Sequence, residues 1–415
     1  MAKVLGRIGR NARVLIATEP LWSIPMNWVF FYRPMFLSIV IGLSSLEIGL
    51  MMSTFNSLLI VSPLLGGYLA DRFGRKRVFM LFDSVCWLTS LAIWMVSQNI
   101  WHVLLAYIIE GLVSTIYSVW ECLLVEDTVA DSRSIIYGSI SAIYTVGSLT
   151  MPMAGYIIRL YGLNMGVRML FVIAFCALIP MFIIRQMYLQ EPDLGRRVMR
   201  DKTFSGFKGY IKSLSIVKGD RIIIALFIIT IMAGFYNSSY AYLSLYLIHP
   251  EGLGLSEDVA SLIPFTSSIV SLALALSVVP TLKSRSGYLK ALVMGYSLGS
   301  LAILLLISSS RNLLPLALLS AALLGFYYAV AYSVSRTFLI NQIDSVDERA
   351  RAKILSIAVT VSSLMNLPTP TLAGYLFSLG PKILLITILA TLLLSLAILI
   401  LTCCIRKGER WLNDL

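Results

Sequence analysis

Twelve apolar segments, each long enough to cross a lipid bilayer, dominate this sequence. A membrane-spanning helix needs about 20 consecutive, mostly apolar residues. Of the 415 residues, 58% are hydrophobic and 13% are charged, whereas a soluble domain carries roughly 25% charged residues. We therefore predict an all-α membrane protein with twelve transmembrane helices, at residues 17–41, 46–69, 78–97, 101–127, 134–160, 165–188, 221–248, 257–281, 287–309, 312–342, 350–378 and 381–405.

The positive charges indicate how these segments are oriented. Lys and Arg are enriched in the cytoplasmic loops of membrane proteins. With both termini in the cytoplasm, 27 of the 33 Lys and Arg residues fall on the cytoplasmic side and 4 fall outside. We therefore predict a multi-pass protein of the cytoplasmic membrane with both termini inside. The net charge of +12 does not indicate nucleic acid as a partner, because the cations lie in short loops between apolar runs.

One long polar segment divides the spans six and six. It carries many Lys and Arg residues, and we predict that it is a linker that contacts anionic lipid. Short matches recur in the same order in both halves, such as Asp131-Ser-Arg133 and Asp347-Glu-Arg349, which indicates duplication. The predicted domains are an N-terminal six-helix bundle, a cytoplasmic linker and a C-terminal six-helix bundle, at residues 1–189, 190–220 and 221–415.

The loop predicted between spans two and three has an unusual sequence. Residues 66–77 read GGYLADRFGRKR between two apolar runs. Glycines permit a tight turn and close approach of helices, and cations favour the cytoplasmic side. Asp71 is placed to form a local salt bridge or to meet the N-terminus of a neighbouring helix. An ordinary basic membrane loop is the alternative.

This stretch resembles the signature loop between helices two and three of the major facilitator superfamily. The resemblance implies twelve helices in two pseudo-symmetric six-helix bundles, and secondary transport of a solute by alternating access. The family pattern G-x-L-a-D-r-x-G-r-k is matched by Gly67, Leu69, Asp71, Arg72, Gly74, Arg75 and Lys76.

The same resemblance implies roles in conformational change for the signature-loop residues. In the family, a carboxylate at the inner end of helix four pairs with the signature-loop Arg and locks the outward-open state. Asp127 is the best positional match, with Arg72 or Arg75 as its partner. The residues assigned to conformational change in this loop are Gly67, Asp71, Arg72, Gly74 and Arg75.

Charged residues inside apolar spans are costly and usually functional. Arg33 and Glu110 lie at similar depths in spans one and four, and in the resembling family these spans line one cavity. We expect the two residues to pair, or to share a substrate or a proton; a permanent structural salt bridge is the alternative. Asp83, near the inner end of span three, is expected to meet the cations of the signature loop.

Glu121 and Arg336 are a predicted gate. Both lie in the cytoplasmic halves of their spans, four and ten. In the resembling family, these spans are symmetry partners that meet when the inner gate closes. We expect the pair to form in the outward-facing state and to break in the inward-facing state. The alternative is that each residue finds a partner within its own half.

Span five contains part of a motif typical of exporters. Residues 147–155 resemble the antiporter pattern g-x-x-x-G-P-x-x-G, with Pro152 in place but Met151 where a glycine is expected. Exporters of the family often carry an Arg on span four, four residues before a Gly, and here Tyr107 takes that position before Gly111. Proton coupling would therefore use Glu110 with Arg33. This partial match to the motif slightly favours export over import.

Aromatic residues with hydroxyl groups concentrate on spans four, seven and ten. Such rings suit an organic solute, either sugar-like or an amphipathic drug. Packing and interfacial anchoring are the alternative for each of them. The candidates for substrate contact are Tyr107, Tyr117, Tyr236, Asn237, Tyr240 and Tyr328.

Motifs of soluble enzymes are absent from the sequence. It has no Walker A motif and no His-Glu-x-x-His, and Asp127-x-x-x-Asp131 lacks the second acidic cluster of a membrane prenyltransferase. We predict no enzymatic activity, no metal and no cofactor. The predicted partners are a small-molecule substrate, a coupling ion that we take to be a proton, and membrane lipid, with the chain acting as a monomer. The alternatives are an importer, a uniporter, a membrane enzyme or a solute sensor without transport.

Overall fold

The computed structural model describes residues 8–125, 128, 133–192, 221–278, 281–282, 284–309, 313–347 and 360–413. Within these ranges the regular structure is helical, with no β-strand. The chain divides into two compact units, Met1–Phe204 and Ser205–Leu415. The boundary falls in the segment 190–220, so the domain limits given above stay a prediction.

The first unit consists of long helices with short connections. A π-helical turn, Phe36–Val40, follows the first helix, and a 3₁₀ segment, Leu112–Ile116, separates the fourth from the fifth. The helices are α1 (Arg10–Met35), α2 (Ser45–Phe73), α3 (Arg75–Val96), α4 (Ile100–Gly111), α5 (Tyr117–Val125), α6 (Arg133–Leu149) and α7 (Met151–Tyr188).

The second unit is built in the same way. A π-helical segment, Ala329–Val334, joins two of its helices. The helices are α8 (Arg221–Ile248), α9 (Glu257–Ala260), α10 (Leu262–Ser277), α11 (Arg285–Ser308), α12 (Leu314–Tyr328), α13 (Ser335–Asp347), α14 (Thr369–Leu379) and α15 (Pro381–Asn413).

The helices follow the twelve predicted spans in order. In the described part of the chain, nine helical segments are long and apolar enough to cross a membrane. The helix of span eleven is described only from residue 360 onward. All-α architecture is therefore confirmed.

The predicted loop at residues 66–77 is wrong in its extent. Helix α2 continues through Phe73 and α3 begins at Arg75, so Gly74 alone connects them. Gly74 has a φ of +94°, which only glycine adopts without strain. A helix satisfies its own backbone hydrogen bonds, so polar residues can extend it beyond the apolar part of a span.

Gly66 and Gly67, in the helix before this turn, were expected to permit close helix packing. Gly66 does so. A Cβ atom placed on Gly66 would collide with the backbone carbonyl of Thr115, in the 3₁₀ segment. Helix α2 therefore packs backbone to backbone against the middle of span four. The helical backbone at Gly67 is described, but its surroundings lie outside what the structure describes.

Span five is interrupted within its predicted length, whereas spans five and six are separated where the sequence indicated. Helix α6 ends at Leu149 and α7 begins at Met151, so Pro152 lies in the first turn of a helix. Proline suits this position because the first backbone N–H groups of a helix have no internal partner. Within α7, Gly162 has a φ of +71° and separates the two predicted spans.

Candidate functional site

Arg33 on α1 and Glu110 on α4 form a buried ion pair. Arg33 Nη1 lies 3.0 Å from Glu110 Oε1, and the two side chains are 5% and 2% exposed. The indole N–H of Trp94, on α3, donates to the other carboxylate oxygen, Oε2, at 3.1 Å. The predicted pairing is confirmed, and the structure adds a third helix that holds the carboxylate from its other side.

Aromatic rings surround the Arg33 guanidinium. Its central carbon lies 4.6 Å from the ring centroid of Trp94, 5.1 Å from that of Phe30 and 5.5 Å from that of Tyr107. Cations are attracted to aromatic faces at these distances. Tyr107, a predicted substrate residue, is 5% exposed and packs edge-on against Trp94. The rings exclude water and strengthen the electrostatic interactions of the pair.

Two donors of Arg33 are left over in this arrangement. Its Nε and Nη2 atoms are buried and make no hydrogen bond of regular geometry, although the Tyr107 hydroxyl lies close to the guanidinium. Buried polar groups in proteins nearly always have a partner, so an exception calls for an explanation. A guanidinium presents its donors in a fixed fork that matches carboxylate and other acceptor oxygens. These donors have the chemistry to bind an acceptor oxygen, and they are not used in the bond to Glu110.

Local structure explains where Glu110 sits. Asn99 accepts the backbone N–H groups of Trp101 and His102, and so caps the start of α4. The helix changes to 3₁₀ geometry just after Glu110 and Gly111, and such a change within a helix often marks a functional site. A Cβ atom on Gly111 would crowd Leu58 of α2, so this bend is packed closely against its neighbour.

A second buried ionic cluster was not found by sequence reasoning. Arg185 on α7 donates from Nη1 to Asp83 Oδ2 on α3 at 3.0 Å, and from Nη2 to Glu19 Oε2 on α1 at 2.7 Å. The expectation that Asp83 meets the signature-loop cations is wrong, since its ion-pair partner is Arg185. Both Glu19 and Arg185 lie inside predicted spans, and that placement is the signal that would have revealed them.

The signature-loop cations have varied surroundings. Arg72 is exposed and donates to the hydroxyl of Tyr68 at 3.1 Å. The backbone N–H groups of Arg75 and Lys76, at the start of α3, donate to the two carboxylate oxygens of Glu191 at 2.8 Å each. A carboxylate here also favours the positive end of the helix dipole. Glu191 was not anticipated in this role.

Two predicted partners of these cations cannot be placed. The side chain of Asp71 lies outside what the structure describes, and so does Asp127. The pairing of Asp127 with Arg72 or Arg75 therefore stays a prediction. Glu121 and Arg336 are both exposed and belong to different units, so the proposed gate between them also stays a prediction.

The tyrosines of the second unit form one cluster. The hydroxyl groups of Tyr236 and Tyr328 lie 2.8 Å apart, and the ring of Tyr240 lies 6.3 Å from that of Tyr328, centroid to centroid. Tyr236 is 2% exposed, whereas Asn237 beside it is exposed. These three predicted tyrosines are brought together on α8 and α12. Tyr117, in the first unit, is 49% exposed.

Among the described residues, no group of three or more His, Cys, Asp or Glu side chains is placed to hold a metal ion. The two ionic clusters of the first unit are instead charge pairs built with arginine. They lie at different levels of α1, because Glu19 and Arg33 are 14 residues apart, or about 21 Å along an α-helix.

Comparison with known proteins places the chain among transporters. The family model of the Major Facilitator Superfamily matches residues 22–370. The chain is 25% identical to Multidrug resistance protein 2 of Bacillus subtilis (strain 168) over 356 residues, covering 84% of each chain. It is 23% identical to the Cis,cis-muconate transport protein of Acinetobacter baylyi (strain ATCC 33305 / BD413 / ADP1) over 348 residues, covering 82% of this chain and 80% of the relative.

Solved structures show the same fold. The nucleoside transporter NupG superposes with a TM-score of 0.70 at 12% identity, covering 96% of this chain and 99% of NupG. The human organic anion transporter MFSD10 (TETRAN) superposes with a TM-score of 0.61 at 16% identity, covering 94% and 99%. The match of the family model over most of the sequence means that the chain belongs to the major facilitator superfamily.

Proposed function

We propose that this protein is a proton-coupled secondary transporter that moves a small organic solute across the cytoplasmic membrane by alternating access, with export favoured over import. The buried Arg33–Glu110 pair, with two nitrogen atoms of Arg33 left unsatisfied, is the observation that carries the proposal. A desolvated charge pair is expensive, and intramembrane charges of this kind mark solute or ion pathways.

The chemistry of the pair supports a solute with an acceptor oxygen next to an apolar or aromatic body. Arg33 would donate its Nε and Nη2 protons to a carboxylate or carbonyl oxygen, and the rings of Phe30 and Tyr107 would contact the apolar part. The names of two relatives, a multidrug resistance protein and a cis,cis-muconate transport protein, are compatible with such a solute.

The other residues predicted from the sequence are proposed to contact the solute or to take part in the conformational change. Tyr236, Tyr240 and Tyr328 would supply hydroxyl groups and rings from the second unit, with exposed Asn237 beside them. The signature-loop residues, Asp127, Pro152 and the pair Glu121–Arg336 would take part in the conformational change. Both termini are proposed to lie in the cytoplasm, and the protein is proposed to work as a monomer without a cofactor.

Counterflow in proteoliposomes tests this function. The probes are cis,cis-muconate for carboxylates, ethidium for cationic drugs and uridine for nucleosides. We expect exchange of muconate, and its loss in Arg33→Gln, since glutamine cannot replace the charged fork. Arg159→Gln is the matched control, because Arg159 is exposed in the same unit.

Two outcomes would contradict the proposal. Equal exchange by wild type and a folded Arg33→Gln variant would remove the Arg33 site from the mechanism. Binding of a probe in a thermal-shift assay, without counterflow of that probe, would instead favour a sensor.

A further inference from the structure

Three charged side chains from three helices meet in the first unit, away from the Arg33 site. Glu19 on α1, Asp83 on α3 and Arg185 on α7 are 4%, 3% and 3% exposed. Arg185 also donates from Nε to the hydroxyl of Thr18 at 3.0 Å, and its guanidinium carbon lies 5.8 Å from the ring centroid of Phe79. We refer to Glu19, Asp83 and Arg185 as the triad.

The triad contains one more negative charge than positive charge. Two carboxylates share one guanidinium, and among the described residues no second cation forms an ion pair with either of them. A buried ion pair offsets its own desolvation only when the geometry is good, and an extra buried charge costs several kcal/mol. Binding one proton removes that extra charge.

The other groups that face the triad do not supply a positive charge. The Tyr144 hydroxyl on α6 donates to Glu19 Oε1 at 3.0 Å. Trp87 and Cys86 on α3 face Asp83, and Tyr117 on α5 lies within electrostatic range of it. Each of these side chains is neutral near pH 7. The proton is therefore needed to balance the cluster.

The hydrogen bonds indicate which carboxyl group takes the proton. Both oxygens of Glu19 accept a hydrogen bond, one from Arg185 at 2.7 Å and one from Tyr144 at 3.0 Å. These bonds stabilise its ionised form. Asp83 receives a longer bond from Arg185, at 3.0 Å through Oδ2, and the indole of Trp87 also interacts with its carboxyl group. The shorter bond from the cation goes to Glu19. Asp83 is therefore the carboxyl group that binds the proton.

We propose that the triad is a proton-binding site in which Asp83 holds one proton that is taken from water and returned to water during transport. The site is separate from Arg33 and Glu110, which balance one another. This inference rests on the proposed function, since it assigns the coupling proton to a position other than the solute site. When the triad becomes hydrated, water can stabilise the ionised Asp83, and the proton leaves.

Infrared difference spectroscopy of the purified full-length protein detects this proton. The carbonyl stretch of a protonated carboxyl group is followed from acid to alkaline pH. Wild type should show a band that disappears at high pH, and Asp83→Asn and Glu19→Gln should each lack that band, because one carboxylate then balances Arg185. Glu110→Gln is the matched buried control and exposed Glu251→Gln the surface control; both should keep the band.

Coinciding spectra of wild type and Asp83→Asn would overturn the proposal, as would a band retained in Glu19→Gln. Should Asp83→Asn not fold, aspartate labelled with ¹³C at the side-chain carboxyl decides in its place, since the band must then shift. Proteoliposomes separate this inference from the proposed function. Absence of gradient-driven muconate flux in wild type counts against proton-coupled transport and leaves the band unaffected, whereas coupled flux in Asp83→Asn counts against the triad alone.

Discussion

The Trp94 side chain connects the ionic and apolar parts of the candidate site. It donates to Glu110, lies under the Arg33 guanidinium and stacks on Phe171, with ring centroids 5.7 Å apart and an interplanar angle of 16°. It is fully buried. The charge pair is thus fixed by packing as well as by its own hydrogen bond. Both interactions hold the Arg33 guanidinium in one orientation.

Replacing Trp94 by phenylalanine tests this role. Trp94→Phe keeps a ring but removes the N–H that satisfies Glu110, and an unsatisfied buried acceptor costs about 1–3 kcal/mol. We expect a lower melting temperature in detergent, measured by intrinsic fluorescence. Trp101→Phe is the matched control, because Trp101 is 73% exposed. Equal melting temperatures for both variants would contradict this role.

Some of these residue contacts could be predicted from the sequence. Arg33 and Glu110 could be paired because both are charged and lie at the same depth of their spans. The unsatisfied Nε and Nη2 atoms could not be predicted, because they depend on how the surrounding rings are oriented in three dimensions. Arg185 was assigned to the cytoplasmic side by its position near a span end, so its two carboxylate partners were missed.

At the scale of elements, α1 and α6 pack closely at Gly147. Asn27 on α1 is hydrogen-bonded to Ser148, and Ser23 to the backbone carbonyl of Ile143. A Cβ atom on Gly147 would lie 2.8 Å from the Ser23 backbone oxygen. The small residue of the half-matched antiporter motif therefore serves helix packing.

Alanine substitutions at two glycines of α6 measure this contact. Gly147→Ala should destabilise the protein by about 1–3 kcal/mol, since it forces the helices apart. Gly138→Ala is the matched control: a Cβ atom there meets nothing within 4 Å, and alanine should stabilise the helix by up to about 1 kcal/mol. Thermal unfolding in detergent gives both values. A destabilised Gly138→Ala variant together with an unchanged Gly147→Ala variant would refute the contact.

The start of α3 depends on a residue 115 positions away from Lys76. Glu191 accepts the backbone N–H groups of Arg75 and Lys76, which ties the end of span six to the signature turn. Glu191→Gln keeps the shape but removes the charge that favours the positive helix end, a loss of about 1 kcal/mol. We expect a lower melting temperature for Glu191→Gln and no change for exposed Glu251→Gln. A Glu191→Gln variant as stable as wild type would mean that the carboxylate charge is dispensable.

For the whole molecule, apolar segment length predicted the helices, and the family resemblance of residues 66–77 predicted their arrangement in two bundles. Twelve runs of about 20 apolar residues indicate twelve helices, and membership of the family supports both predictions. Helix ends were less predictable. Polar residues such as Arg72 continue a helix beyond its apolar part, and a single glycine at residue 74 turns the chain. Contacts such as that of Glu191 join distant segments and leave no local pattern.

Accumulation of a solute driven by a pH gradient tests whether solute movement in this protein is coupled to protons. Proteoliposomes containing the wild-type protein are loaded with a probe that exchanges in counterflow, and a pH difference is then imposed. Proton-coupled transport predicts accumulation of the probe above its equilibrium level, and this accumulation is abolished by a protonophore. Movement that only equilibrates the probe, with or without the pH difference, would contradict it.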